Sequence, residues 1–435
     1  MAEFKTIHDS VYGTMKIGPL VLDLMETLEM QRLSGIKQLG LTYLVFPGAN
    51  HTRLEHSLGA THLAKKISDA LSLDDSDKDL IVSAALLHDV GHAPFSHTLE
   101  STLEKAIGMD HVDLTKKIVT GEEDNVSEEE RKAFPQAKRI HEVLEKHDLD
   151  PKEISDLIAT SEMSQTTTLY QDKGQKFFNE KRYLTQIINS PIDIDQIDYL
   201  LRDAYYTGVA HGIIDVDRLI QTFAIHHNDL VVDRKGLSAL EGMFVARALM
   251  FSSVYLHKTV RIAELMLARA VENWEGLDPL FVQRMVDSEL MSALIAQGGF
   301  QRDVTLKIKY RKLFKKAYVG RRTELDEDRI ERLHRFEDPK ERKKVEVDLC
   351  RKANAPDGSV ILDYPLAELK ITEPRISTTN IRILDNGKIQ FFKSASPLGR
   401  ALESRDVADW LVMVAADRPY VEKVSRVAEN QVLGT

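Results

Sequence analysis

A single cysteine, Cys350, stands in the whole chain. No intramolecular disulfide can form and no thiolate zinc site can be built, so any metal must be held by imidazoles and carboxylates. Long apolar runs are missing too: no uninterrupted apolar stretch is long enough to cross a bilayer. The segment from Met1 to Gly18 has no apolar core and places His8 and Asp9 early, unlike a secretory leader. No repeat and no low-complexity segment is found. Together these absences predict a cytoplasmic protein with no membrane partner. Positive charge is in deficit, with 58 Lys and Arg against 68 Asp and Glu, for a net charge of −10. That balance argues against bulk electrostatic binding of nucleic acid. It leaves room for a small anion at a local positive site.

What is present is a globular composition, 43 % hydrophobic and 29 % charged, over 435 residues. That length suffices for a large core with one or two smaller modules. Leu22, Met25, Leu28 and Leu33 fall near helical spacing and predict one helix over 20–39. Leu58, Leu63, Ile67 and Leu71 predict another over 56–73. The nearly wholly apolar 80–87 reads as a buried helix that ends before Gly91 and Pro94. The acidic stretch 121–131 reads as a mobile loop. Helices are expected over 140–146, 154–161 and 183–203, the last interrupted at Ser190-Pro191, and a single long one over 237–267. Phe223 to Val232 alternates about Asn228-Asp229 as a small hairpin.

Past residue 295 the character changes. The run 302–322, rich in Lys and Arg, reads as a solvated helix face; a role in contacting nucleic acid or a subunit is the lesser reading. Ile381 to Leu384, Asn386-Gly387 and Ile389 to Phe392 form a hairpin pattern with a type I′ turn. Trp410 to Val414 is a further strand candidate. The expected fold class is mainly α: a helical body over 1–295, a charged helical connector over 296–357, and a small α+β module over 358–435.

The chemistry concentrates in the first part. His88-Asp89 closes an apolar helix, where an ionisable pair is costly unless it is paired or metal-bound. His92 follows on the same helical face and His97 comes after the Pro94 turn. Upstream, Arg53 and His56 share a face if the helix starts early enough. Downstream, Ile192 to Tyr199 sets Asp193, Asp195 and Asp198 among apolar residues. Imidazoles with carboxylates suit a divalent metal of hard to borderline character. Singly, each residue has a plainer explanation: a surface histidine, a helix cap, a solvated arginine.

Taken together, three motifs resemble the HD-domain deoxynucleoside triphosphate triphosphohydrolases: Asn50-His51-Thr52-Arg53-Leu54-Glu55-His56, Leu87-His88-Asp89-Val90-Gly91-His92-Ala93-Pro94-Phe95-Ser96-His97, and Asp195-Gln196-Ile197-Asp198-Tyr199 through Asp203. Ile36 to Gly40 and Tyr43 to Ala49 are similar to that family as well, and the likeness runs over roughly residues 5–265. It implies an HD helical core with His56, His88, Asp89 and Asp195 as ligands of one divalent transition metal, whether Fe, Mn, Zn or Ni, and Mg or Mn accompanying the substrate phosphates. It implies catalytic roles for Arg53, His92, His97 and His111. Gln38, Leu39, Tyr199, Asp203, Arg247 and Tyr255 are implied to bind substrate. Lys5 and Gln31 resemble parts of a regulatory nucleotide site. The expected reaction yields deoxynucleoside and triphosphate, and the expected assembly is a dimer or tetramer.

Departures sharpen the expectation. Gln196 stands where a vertebrate member has a phosphate-binding lysine, Phe251 replaces a histidine and Leu256 a glutamine; Glu26 and Ser34 replace an aspartate and an arginine of the regulatory site. These changes predict either no activation or activation by a different nucleotide. Two rivals stay open: an HD nucleotidase or phosphodiesterase acting on another nucleotide, and a non-catalytic protein that senses nucleotides or binds nucleic acid.

Overall fold

The computed structural model describes residues 4–159, 181–365, 381–403 and 410–434, and these are mainly helical. They divide into two compact units of interleaved segments: 1–250, 277–290 and 379–402 in the first, and 251–276, 291–378 and 403–435 in the second.

The first unit opens with an antiparallel hairpin, β1 (Lys5–Asp9) and β2 (Gly13–Ile17), in which Asp9 faces Gly13. The single helix expected over 20–39 is instead two, Pro19–Met25 and Leu28–Arg32, with a 3₁₀ turn at Leu33–Gly35. Thr27 is the reason. Its extended backbone leaves the first helix, and its hydroxyl accepts from Met30 N to start the second. At Gly35 a Cβ would sit 2.6 Å from Val286, so only glycine lets the chain pass there.

The next helix, Arg53–Ala70, begins earlier than the expected 56–73, because Thr52 and Glu55 form a reciprocal capping box. That start puts Arg53 and His56 in its first turn. Asp75–Leu87 is capped by Asp74, runs through the core, and ends with His88 as its C-cap. The loop expected over 121–131 gives way to a short helix, Glu128–Ala133, capped by Ser127. Ile140–Lys146 forms as expected, and Pro151–Ala159 starts before the expected 154–161. Arg182–Ile188 and Ile194–Thr207 flank the expected break, the latter capped by Asp193. The expected long helix 237–267 is broken: Leu237–Met250 passes into a π-helical turn, Phe251–Tyr255, and a new helix, Lys258–Glu272, starts with His257 accepting from Thr259 N.

The segment Arg234–Tyr255 is long and apolar enough, by length and composition, to cross a membrane. Its Leu240, Met243 and Phe244 are buried in the protein core, as in a core helix of a globular body.

A four-stranded sheet completes the unit. The expected hairpin is β3 (Phe223–His226) with β4 (Asp229–Asp233). In the second unit, β5 (Lys315–Gly320) and β6 (Val360–Asp363) both pair antiparallel with a strand near the C-terminus. The other hairpin of the first unit is β7 (Arg382–Asp385) with β8 (Lys388–Phe391); Asn386 and Gly387 both have positive φ, as a type I′ turn requires. β7 runs parallel to β4, with Val232 opposite Ile383. This pairing groups 379–402 with the helical body rather than with the rest of the expected 358–435 module.

In the second unit the central strand is β9 (Val412–Ala416), in the order β5-β9-β6. Its apolar cluster includes Phe336, Leu349, Leu362, Val414, Val424 and Val432. The basic run 302–322 is not one helix face. The helix Gly299–Lys309 ends, Arg311 takes a positive φ, and the chain continues as β5.

Candidate metal centre

Three helices meet at one point in the first unit. His56 comes from the first turn of Arg53–Ala70, His88 from the end of Asp75–Leu87, and Asp195 from the first turn of Ile194–Thr207. Each offers one ligand atom, and those atoms lie within 4.8 Å of one another. The two Nε2 atoms are 3.2 Å apart, and Asp195 Oδ1 is 2.9 Å from that of His56. Each ring has its other nitrogen engaged: His56 Nδ1 with Asp198 at 2.7 Å and His88 Nδ1 with the Ala85 carbonyl at 2.8 Å. With both Nδ1 atoms acting as donors, two Nε2 lone pairs and a carboxylate converge on one place. That donor set fits a divalent cation, and the bonds behind it are the usual means of fixing imidazole ligands.

Asp89 also reaches both rings, at 3.9 Å from His56 and 3.4 Å from His88. Its oxygens are shared with Arg53 Nη1 at 2.5 Å and His92 Nε2 at 3.1 Å. Burial opposes its charge, but Arg53, then His88 and His92, hold its carboxyl well below the ordinary range. Burial likewise opposes a proton on His56, yet the bonds from Asp195 and Asp198 outweigh it and raise the imidazole to about 10. The metal-free site therefore stores protons where a cation would bind.

A positive arm lies beside these ligands. Arg53 is 1 % exposed; its Nε donates to Ser96 Oγ at 3.1 Å, and its buried Nη2 has no hydrogen-bond partner among the described residues. His92 stacks on His111 at 4.2 Å, and both line a pocket with Gly91, Ser96 and Glu100. Burial, Arg53 and His111 push His92 down to about 3, so it is neutral. Burial opposes charge on His111, but its bond to Glu100 raises it.

Comparison with known proteins agrees with this geometry. The HD domain family matches residues 53–203, and the HD associated region matches 214–434. The chain belongs to the HD phosphohydrolase superfamily. An uncharacterised protein of Methanocaldococcus jannaschii is 31 % identical over 98 % of this chain and 82 % of its own length. A deoxynucleoside triphosphate triphosphohydrolase SAMHD1 homolog of Dictyostelium discoideum is 29 % identical over 61 % of this chain, which spans only 48 % of that protein. The solved structure of a phosphohydrolase from Bacteroides thetaiotaomicron matches with a TM-score of 0.67 at 26 % identity, covering 95 % of this chain and 100 % of that one.

The other expected HD site residues fall at varied places. Gln38 is buried next to the motif, its Oε1 unpartnered among the described residues, and Leu39 is a core residue. Tyr199 lies on the Asp195 helix; burial raises its phenol, and the charge of Arg247 acts on it in the opposite sense. Asp203 is bonded to His51 Nε2 at 2.8 Å. Lys5 faces Glu26 at 3.9 Å at the surface, and Gln31 donates to the Met25 carbonyl. Tyr255 belongs to the second unit. His97 sits in the helix Ser96–Ile107, but its side chain is outside the described ones.

Several supporting residues were not singled out from the sequence. Arg202 and His51 lie inside the quoted motifs, so their signal was present. Asp287 had none. It accepts from Lys37 N and Phe95 N, both at 2.9 Å, and so pins the turn where Phe95 takes a positive φ of 49°. Arg32 donates to the carbonyls of His92, Gln283, Arg284 and Met285, tying the same returning segment to the histidine loop.

Proposed function

We propose that this HD centre hydrolyses deoxynucleoside triphosphates to deoxynucleoside and triphosphate. The observation that carries the reading is Arg53. A buried guanidinium whose Nη2 has no partner among the described residues, beside the ligand cluster, is suited to meet an anion. The likeness to the triphosphohydrolase from Dictyostelium supports a nucleotide polyphosphate as that anion.

His56, His88 and Asp195, with Asp89 as the fourth candidate, would hold one divalent transition metal. When bound, such an ion supplies Lewis acidity toward a phosphoryl oxygen. Arg53 and Arg247 would neutralise the phosphates, with Mg or Mn accompanying them. His92, held neutral, can accept a hydrogen bond at its ring. His111, whose proton the bond to Glu100 favours, and His97 are the candidate donors of a proton to the leaving 5′ oxygen. Water adds to the α-phosphorus as that oxygen departs. Gln38, Leu39, Tyr199 and Asp203 would sit around the nucleoside, and the working assembly would be a dimer or tetramer.

A second reading has an observation of its own. Gln196 puts an uncharged amide at its position: its Nε2 is taken by the Ser190 carbonyl, and its Oε1 has no partner among the described residues. A shorter phosphate chain would then suffice. Product analysis separates the two on a panel of dNTPs, NTPs and nucleoside monophosphates with Mn²⁺. Triphosphate released from dNTPs and abolished in Asp89→Ala supports the proposal. Release of phosphate or pyrophosphate reassigns the substrate, and no variant-sensitive turnover on any of them removes the nucleotidase reading.

A further inference from the structure

Behind His56 the buried polar groups do not stop at Asp198. Asp198 is fully buried and is gripped by the guanidinium of Arg202, with Nε to Oδ2 at 2.9 Å and Nη2 to Oδ1 at 3.1 Å. The remaining arm of Arg202, Nη1, donates to Asp9 Oδ2 at 2.8 Å. Asp9 closes the β1–β2 hairpin, and its Oδ1 accepts from Val11 N and Tyr12 N at the turn. A line of charge-assisted bonds therefore runs from the hairpin turn through Asp9, Arg202 and Asp198 to His56 Nδ1. A second tie holds the same turn: Tyr206 OH is bonded to Ser10 Oγ at 2.9 Å and to Glu55 Oε1 at 2.7 Å. Gly59 leaves the space for this line, since a Cβ there would fall 1.9 Å from Asp198 Oδ1 and 2.3 Å from Arg202 Nη2.

Asp198 serves two partners, and each needs the other. With Arg202 beside it, Asp198 stays an anion and accepts from His56 Nδ1–H, which leaves Nε2 free to ligate. Without Asp9, Arg202 would turn one arm to nothing in a buried place, and its hold on Asp198 would loosen. We propose that Asp9 and Arg202 are positioning residues for the metal centre, so that the N-terminal hairpin sets the orientation of His56 and hence the grip on the ion. This rests on the reading of His56 as a metal ligand.

The test uses the full-length protein stripped of metal and titrated with Co²⁺, following both the dissociation constant and the visible d–d absorption. Asp9→Asn keeps the acceptor for the turn amides but loses the charge facing Arg202. It is expected to weaken Co²⁺ about tenfold and to alter the absorption bands, as loss of an outer partner does. Asp198→Asn, nearly isosteric, is expected to weaken it more. Lys16→Ala, an exposed change on the same hairpin, is expected to leave both readouts as they are. Native affinity and spectrum in both Asp9→Asn and Asp198→Asn, with binding lost in His56→Ala, would overturn the positioning role while sparing the metal site. Undiminished Co²⁺ binding in His56→Ala would overturn the metal reading and the relay with it.

Discussion

In the first unit, Arg53, His56, Asp198 and Arg202 are at most 1 % exposed and belong to a connected network of charge. The core of the second unit around Phe336, Leu349 and Val414 is almost wholly apolar, and its buried ions are short local sets, such as Arg261 with Asp363 and Arg269 with Glu346. An apolar core holds by burial alone. Buried charges oppose folding unless each finds a partner. Beside the ligand cluster, Arg53 Nη2 and Gln38 Oε1 have no partner among the described residues. An anion bound there would add to the stability of the first unit.

The contrast can be broken at several points. The largest effect is expected from Asp195→Ala, which removes the carboxylate from the ligand cluster: turnover should fall at least about a thousandfold, roughly 4 kcal/mol of barrier, with the circular-dichroism spectrum retained. A variant with more than a tenth of native activity would mean the centre does not need this ligand. Next is Phe336→Ala in the second unit. Emptying that fully buried site should cost about 3–5 kcal/mol of stability in denaturant titration, yet leave Mn²⁺ affinity as it was. A large change in affinity would show that the metal centre draws on the apolar cluster around Phe336. Third is Gly59→Ala, whose Cβ invades the Asp198–Arg202 contact; Mn²⁺ affinity by calorimetry should drop about 10- to 100-fold. Native affinity would mean that the helix shifts to make room.

The smallest effect, counted per pH unit, is the pH dependence of metal binding. His56 in the metal-free protein has its pKa raised to about 10 against an ordinary 6.5. Its contribution to metal-free stability is therefore full below 6.5 and is lost as pH rises through about 10. A cation must displace that proton, so apparent metal affinity should rise over the same window, by at most about tenfold per pH unit for one proton. Titrations at three pH values within it check the slope; a flat profile would mean that the imidazole holds no proton to give up.

Much of the centre was legible because HD ligation needs specific residue types at helix ends, and the chain writes these as short motifs around His56, His88 and Asp195. Helix boundaries were less legible. The Thr52–Glu55 capping box moved one start back to Arg53, and Thr27 cut one expected helix in two, since a single side-chain oxygen decides where a helix begins. The partnership of β4 with β7 could not be read at all: hairpins announce themselves through their turns, whereas a parallel pairing between Val232 and Ile383 leaves no local trace. Asp287 was invisible for the same reason, as its two acceptors serve backbone amides that any sequence supplies.

The returning segment also has a consequence in time. Residues 277–290 come back to the first unit after the chain has left it, and Asp287 then ties down Lys37 N and Phe95 N, residues made about 250 and 192 positions earlier. On a ribosome the histidines and aspartates of the ligand cluster emerge well before the residue that pins their loop. The nascent protein thus carries an unpinned turn at Phe95 until Asp287 has left the exit tunnel, while the stretch 288–435 is still to be completed. The last tie on the histidine loop is therefore a later event than the making of the motif helices themselves.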